Sequence, residues 1–188
     1  MTDKQNFIDA YKSAIKREGA EALLDWLEKT DFFTAPASSK FHSAYEGGLC
    51  SHSLNVYNVL KKRFSDIIPD ESLAICGLLH DLCKVQFYKV NLRNVKNQDT
   101  GKWEQIPFYA IEDKFPFGHG EKSVFLIERF FKLKVDEAIA IRWHMGGFDD
   151  ASKGGSFSVS LAYEKYPLAV MLHLADIEAT YLIEGENN

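Results

Sequence analysis

Cysteine is scarce in this chain. Cys50, Cys76 and Cys83 are the only three, too few and too unevenly placed for a disulfide framework, and no two take the C-x-x-C spacing of redox or zinc motifs. They read as buried, reduced thiols. Long apolar runs are missing too, since nothing approaches the ~18 residues of a membrane span. The opening stretch MTDKQNFIDA has no basic segment leading into an apolar core. The expected location is therefore the cytoplasm, with no membrane partner. Positive charge is in deficit: 22 Lys and Arg stand against 27 Asp and Glu, a net −5, so no overall field is available to hold a long nucleic-acid backbone. A small or locally gripped anion remains compatible with this balance. No internal repeat appears.

What is present is ordinary for a folded protein. The 188 residues are 46% hydrophobic and 26% charged, which suits one domain over residues 1–188 with a single core. Phe7, Ile8, Tyr11 and Ile15 fall at helical intervals, and Gly19 separates them from a second helical piece ending near Lys29. These are expected to be packing helices within residues 1–33. A long helix follows the glycine pair of AYEGGLCSHSLNV, and Asp70, Glu71 and Ser72 are placed to cap the next one. That next helix is apolar nearly all round and must be buried. Residues 86–111 alternate in polarity on either side of a turn rich in Asn, Asp and Gly, the pattern of a β-hairpin inserted between helices. Further helices follow His119, end at His144, and run from Pro167; residues 149–160 read as a loop. The fold class expected is all-α, a helical bundle with a β-hairpin insertion and its functional core at about 41–183.

The segment GLLHDLCK, Gly77 to Lys84, ends an apolar run on a histidine and an aspartate. Burying an unpaired carboxylate is costly, so Asp81 must meet a positive partner, accept several hydrogen bonds, or bind a metal. His52, His80, His119 and His144 each lie at or near an expected helix end, and Asp176 sits in HLADIEA on another apolar helix. Imidazoles and carboxylates in this number suit a divalent transition metal, or a pair of them. Adjacent helical residues point about 100° apart, so His80 and Asp81 share an ion only if it lies over the helix end, and Asp81 is alternatively a bridge between two ions. Lys84 follows one turn later and can reach past such ions toward an anion.

The order His52, His80-Asp81, Asp176 resembles the HD-domain metal-dependent phosphohydrolase superfamily, and His119 and His144 match the two extra histidines of its dinuclear members. GGLCSHSLNV, LLHDLCK and LHLAD are similar to motifs of the HD-domain exoribonuclease-like proteins; Cys83 stands where many members have glycine. The resemblance spans roughly Phe41 to Tyr181. It implies a first divalent metal (Mn, Fe, Mg, Ni, Co or Zn) on His52, His80, Asp81 and Asp176, with Asp81 bridging to a second on His119 and His144. It further implies catalytic roles for Asp81 and Lys84, with Lys84 on the substrate phosphate and a metal-activated water as nucleophile. The substrate implied is a small phosphorylated molecule, a nucleotide or a short single-stranded nucleic acid. Two rivals keep the same ligands: an HD-fold di-iron oxygenase, and a non-catalytic module binding a nucleotide or partner.

Other residues invite roles of their own. His42 and Tyr45 lead into the site and are candidates to line the substrate mouth. Arg93, with Lys89, Lys96 and Lys102, forms either a basic lip that grips phosphate or a solvated edge strand. Trp103, Phe108, Tyr109, Phe115 and Phe117 are expected to dock the hairpin on the helices rather than stack a base. His173 reads as a supporting or core residue.

Overall fold

The apolar spacing near the N-terminus becomes the buried side of helix α1 (Asp3–Ala14), where Phe7 and Tyr11 are buried and Thr2 Oγ1 accepts the Gln5 amide as a cap. The structure is a computed structural model that describes residues 2–40 and 43–185. Helix α2 (Ala20–Glu28) follows Gly19, adding Leu23, Leu24 and Leu27 to the core. Helices α3 (Gly48–Phe64) and α4 (Asp70–Leu79) pack on each other, and α1 lies against both. All of Ser72 to Leu79 is buried, so α4 is central, and each of its large apolar side chains contributes roughly 1.5–3 kcal/mol of burial.

Gly77 makes the α3–α4 approach possible, because a Cβ there would lie 2.5 Å from the Tyr57 Cα. The expected cap of α4 is not formed by Asp70 or Ser72; Pro69 occupies the N-cap without a side-chain bond. Asp70 instead accepts from Tyr57 Oη at 3.0 Å and from Lys61 Nζ at 2.9 Å, and Ser72 turns inward to Glu137. Competition from tertiary partners has taken both side chains away from the helix end.

A 3₁₀ turn (Leu82–Lys84) leads from α4 to strands β1 (Tyr88–Lys96) and β2 (Trp103–Ile111), paired antiparallel with Tyr88 opposite Ile111 and Lys96 opposite Trp103. The hairpin is mostly exposed along its length. Trp103 is 71% exposed, so it does not dock the hairpin as expected from its size. Its register places it opposite Lys96 at the far end, beyond reach of the helices. Phe115 and Phe117 do pack on Phe125 of the following helix, while remaining open to solvent.

Helix α5 (His119–Glu128) crosses the end of α6 (Val135–Trp143), and α6 and α3 both pack on α9 (Pro167–Glu178), which has Pro167 in its first turn. Gly120 permits the α5–α6 contact: a Cβ there would stand 2.2 Å from the Arg142 carbonyl oxygen. The expected loop 149–160 contains the short helix α7 (Asp150–Lys153) and the start of α8 (Ser158–Lys165), where the glycine pair obscured a regular segment. A π-helical turn, Ala179–Ile183, extends α9. One apolar cluster runs from Phe7 of α1 to Ala179. Among the described residues no helix is long and apolar enough to cross a membrane.

Candidate metal centre

Helix ends deliver the polar side chains to one place. His52 lies in the second turn of α3, His80 caps α4, and Asp81 is the next residue. His119 opens α5, His144 caps α6, and Asp176 is in the last turn of α9. The two close helix approaches at Gly77 and Gly120 bring these ends together, so the glycines position the histidines beside them.

Asp81 is at the centre, and its two oxygens face different neighbours. Oδ2 meets Lys84 Nζ at 2.6 Å, His80 Nε2 at 3.5 Å and His52 Nε2 at 3.8 Å. Oδ1 meets His119 Nε2 at 2.9 Å and His144 Nε2 at 3.5 Å. Three groups of donors each fall within 4.8 Å: His52, His80 and Asp81; His80, His144 and Asp176; Asp81, His119 and His144. All six expected residues therefore meet. The grouping of His144 with His80 and Asp176, however, is not the simple division into two separate ligand sets.

The backbone fixes which nitrogen points inward. His80 Nδ1–H donates to the Gly77 carbonyl at 2.9 Å, and His144 Nδ1–H donates to the Ile141 carbonyl at 2.7 Å. Each ring thus presents a bare Nε2 to the cluster. His144 Nε2 is buried and has no hydrogen-bond partner among the described residues. His80 Nε2 lies 3.3 Å from His52 Nε2, and His52 Nε2 lies 3.2 Å from Asp176 Oδ1.

Charge within the cluster is strongly biased. Burial pushes His52 down, but the Asp176 and Glu184 carboxylates outweigh it and lift its pKa to about 9. Burial lowers His80 to about 3. Burial also opposes ionisation of Asp81 and Asp176, yet Lys84 with the histidines holds Asp81, and His52 with His80 and His144 holds Asp176, well below the usual carboxylate range. The buried Asp81 and partly buried Asp176 carboxylates are held by Lys84 and by His52, and their oxygens, with the imidazole nitrogens beside them, form a donor set that fits a divalent metal.

Glu184, which sequence reasoning missed, completes the centre from behind. Its carboxylate accepts from His52 Nδ1 at 3.0 Å, Asn55 Nδ2 at 3.0 Å and Ser43 Oγ at 2.7 Å. A carboxylate on the outer nitrogen orients an imidazole and raises its basicity as a ligand. His173, read as a supporting residue, donates Nδ1–H to the His144 carbonyl at 2.6 Å.

The cluster opens into a cavity of about 800 Å³ whose walls include Lys84, Tyr88, Lys153, His173 and Tyr181. Lys84 is paired with Asp81, so a side chain supplies part of the neutralisation that the buried carboxylate needs. Arg93 is not in this wall; it is on the exposed hairpin with its guanidinium over Phe108 at 5.5 Å. The register turns it away, since only Tyr88, at the hairpin base, reaches the cavity. Tyr45 is half exposed and also outside it, and His42 lies outside the described residues.

Residues 49–180, well over half of the chain, match the family model described as HD domain. The chain belongs to the HD domain family. HD domains are generally metal-dependent phosphohydrolases and bind divalent metals, which agrees with a His and Asp cluster positioned to hold one. The matched span contains every residue of that cluster, whereas Glu184 lies just beyond it. No curated protein and no solved structure matches this HD-domain chain.

Proposed function

We propose that this chain acts as one domain that hydrolyses a phosphate ester of a nucleotide or short oligonucleotide, in the manner of exoribonuclease-like HD proteins. His52, His80, Asp81 and Asp176 would hold one divalent ion, and Asp81, His119 and His144 a second. Such ions supply positive charge for the phosphoryl oxygens and lower the pKa of a water. The observation that carries the reading is the buried, partnerless Nε2 of His144 aimed at the same carboxylate as the other imidazoles.

The chain's own groups do the rest. Asp81 spans the two halves of the cluster with its two oxygens. Lys84 sits on the cavity wall with only 12% of its side chain exposed, where it can exchange Asp81 for a substrate phosphate. Tyr88 and Tyr181 offer aromatic surface for a base, and Lys153 a second cation for an anionic substrate. Glu184 holds the His52 ring in place through its outer nitrogen.

The test is hydrolysis of bis-p-nitrophenyl phosphate, nucleotides and short RNA by manganese-loaded protein. Asp81→Ala should lose both bound metal and turnover, while Lys84→Ala should keep metal and turn over slowly. Unchanged hydrolysis by Asp81→Ala contradicts the proposal.

A further inference from the structure

His173 lines the large cavity but belongs to none of the three donor groups of the metal cluster. It precedes Asp176 by one turn of α9, and His173, Asp176 and Ile177 all face that cavity. Its Nδ1 lies 2.6 Å from the His144 carbonyl oxygen, which can only accept, so the ring proton is on Nδ1 and the neutral ring leaves Nε2 bare. Nothing among the described residues bonds to that nitrogen, and, unlike the sealed Nε2 of His144, it is open to the cavity. Gly146, at φ +53°, keeps it so, since a Cβ there would stand 2.7 Å from Nε2. The neighbouring Tyr163 hydroxyl is aimed elsewhere, at the Trp143 carbonyl 3.5 Å away.

A bare nitrogen in this position calls for a donor on the substrate. Lys84 and Lys153, which also line the cavity, suit phosphate oxygens; His173 Nε2 does not, because its lone pair and theirs repel. A group held on Nε2 is about one helical turn, roughly 5 Å along α9, from a phosphate held by an ion on Asp176. In a nucleotide the sugar hydroxyls are at that remove from the phosphate, whereas base amino groups are farther out. Within an oligonucleotide the 3′ oxygen is esterified, so the 2′-hydroxyl is the sugar donor that remains. We infer that His173 is a specificity-determining residue whose Nε2 accepts a hydrogen bond from the 2′-hydroxyl beside the scissile phosphate, selecting ribonucleotide over deoxyribonucleotide strands. The inference rests on the hydrolase reading above and names the sugar that the site takes.

The test compares kcat/KM of the full-length, manganese-loaded protein on a short single-stranded RNA and on its counterpart lacking 2′-hydroxyls. Wild type should favour the RNA about tenfold, the scale of one hydrogen bond between neutral groups. His173→Asn keeps an N–H for the His144 carbonyl but has no atom in place of Nε2, and should bring the ratio near one with bound manganese unchanged. His173→Gln puts an amide oxygen near the position of Nε2 and should restore part of the preference. A merely structural role for the ring would lower both rates alike and leave the ratio where it was. If wild type hydrolyses the two strands equally, or if His173→Asn keeps the preference, the inference is wrong although the hydrolase reading survives. If neither strand is hydrolysed, both fall. The wild-type ratio alone can overturn the inference, so poor folding of a variant does not shield it.

Discussion

Two groups of charge lie beneath the surface, and they are satisfied in opposite ways. Around Glu137, whose side chain is fully buried, Arg17 donates to both carboxylate oxygens at 2.8 and 2.6 Å, Ser72 Oγ at 2.7 Å and the Lys134 amide at 2.8 Å. This group ties the segment after α1 to α4 and α6 and leaves the carboxylate fully partnered. Around Asp81, by contrast, bare imidazole nitrogens face carboxylates and one another, and His144 Nε2, 3.5 Å from Asp81 Oδ1, has no hydrogen-bond partner among the described residues. Buried charge that is complete within the chain serves the fold; buried donors left incomplete serve something that binds. The low free energy of the first group and the frustration of the second follow from the same cost of desolvation.

Breaking the complete group should have the largest effect on stability. Glu137→Ala leaves the Arg17 guanidinium without its main partner and is expected to lower unfolding free energy by about 3–5 kcal/mol in urea titrations, with metal content unchanged. Burial pushes the Glu137 pKa up, but Arg17 and Ser72 outweigh it and hold it below the ordinary 4.5. Its contribution is thus full above that pH and is lost as pH falls through the depressed folded value. Glu137→Gln should accordingly flatten the acid side of the stability curve relative to wild type.

A smaller effect is expected behind the metal. Glu184→Gln keeps an acceptor for His52 but removes its charge, and should weaken metal affinity about 10–100-fold with little change in fold, as measured by competition with a chelator. The smallest change in stability is expected within the incomplete group. His144→Leu removes an unmet nitrogen from the interior, so metal-free unfolding should shift by no more than about 1 kcal/mol in either direction. The same variant should lose the stabilisation that added manganese gives the wild type.

The contrast also explains what could be read from the chain. The helices and the hairpin follow from local periodicity and turn chemistry, which the residues carry with them. His52, His80, Asp81, His119, His144 and Asp176 drew notice as polar residues in or at the ends of apolar helices, but it was their order, which resembles that of HD-domain proteins, that singled them out as a set. Glu184 drew none, since a glutamate after the last apolar helix looks like a solvated end until the π-helical turn directs it to His52. Arg17 and Glu137 were likewise illegible: each sits among ordinary surface charges, and only the packing of distant segments buries them. Arg93 and Trp103 failed in the other direction, because chemical suitability for a ligand or a core says nothing of how far a hairpin projects. Ser72 shows the same limit at short range, with a cap residue drawn off by a partner 65 positions away.

The central claim is that the cluster around Asp81 is built to be completed by metal. Elemental analysis of the wild-type protein, loaded with manganese and freed of excess by gel filtration, measures this directly. Stoichiometric metal retained by the chain is the predicted result; a protein that emerges metal-free, with the same thermal stability whether or not manganese is present, would contradict it.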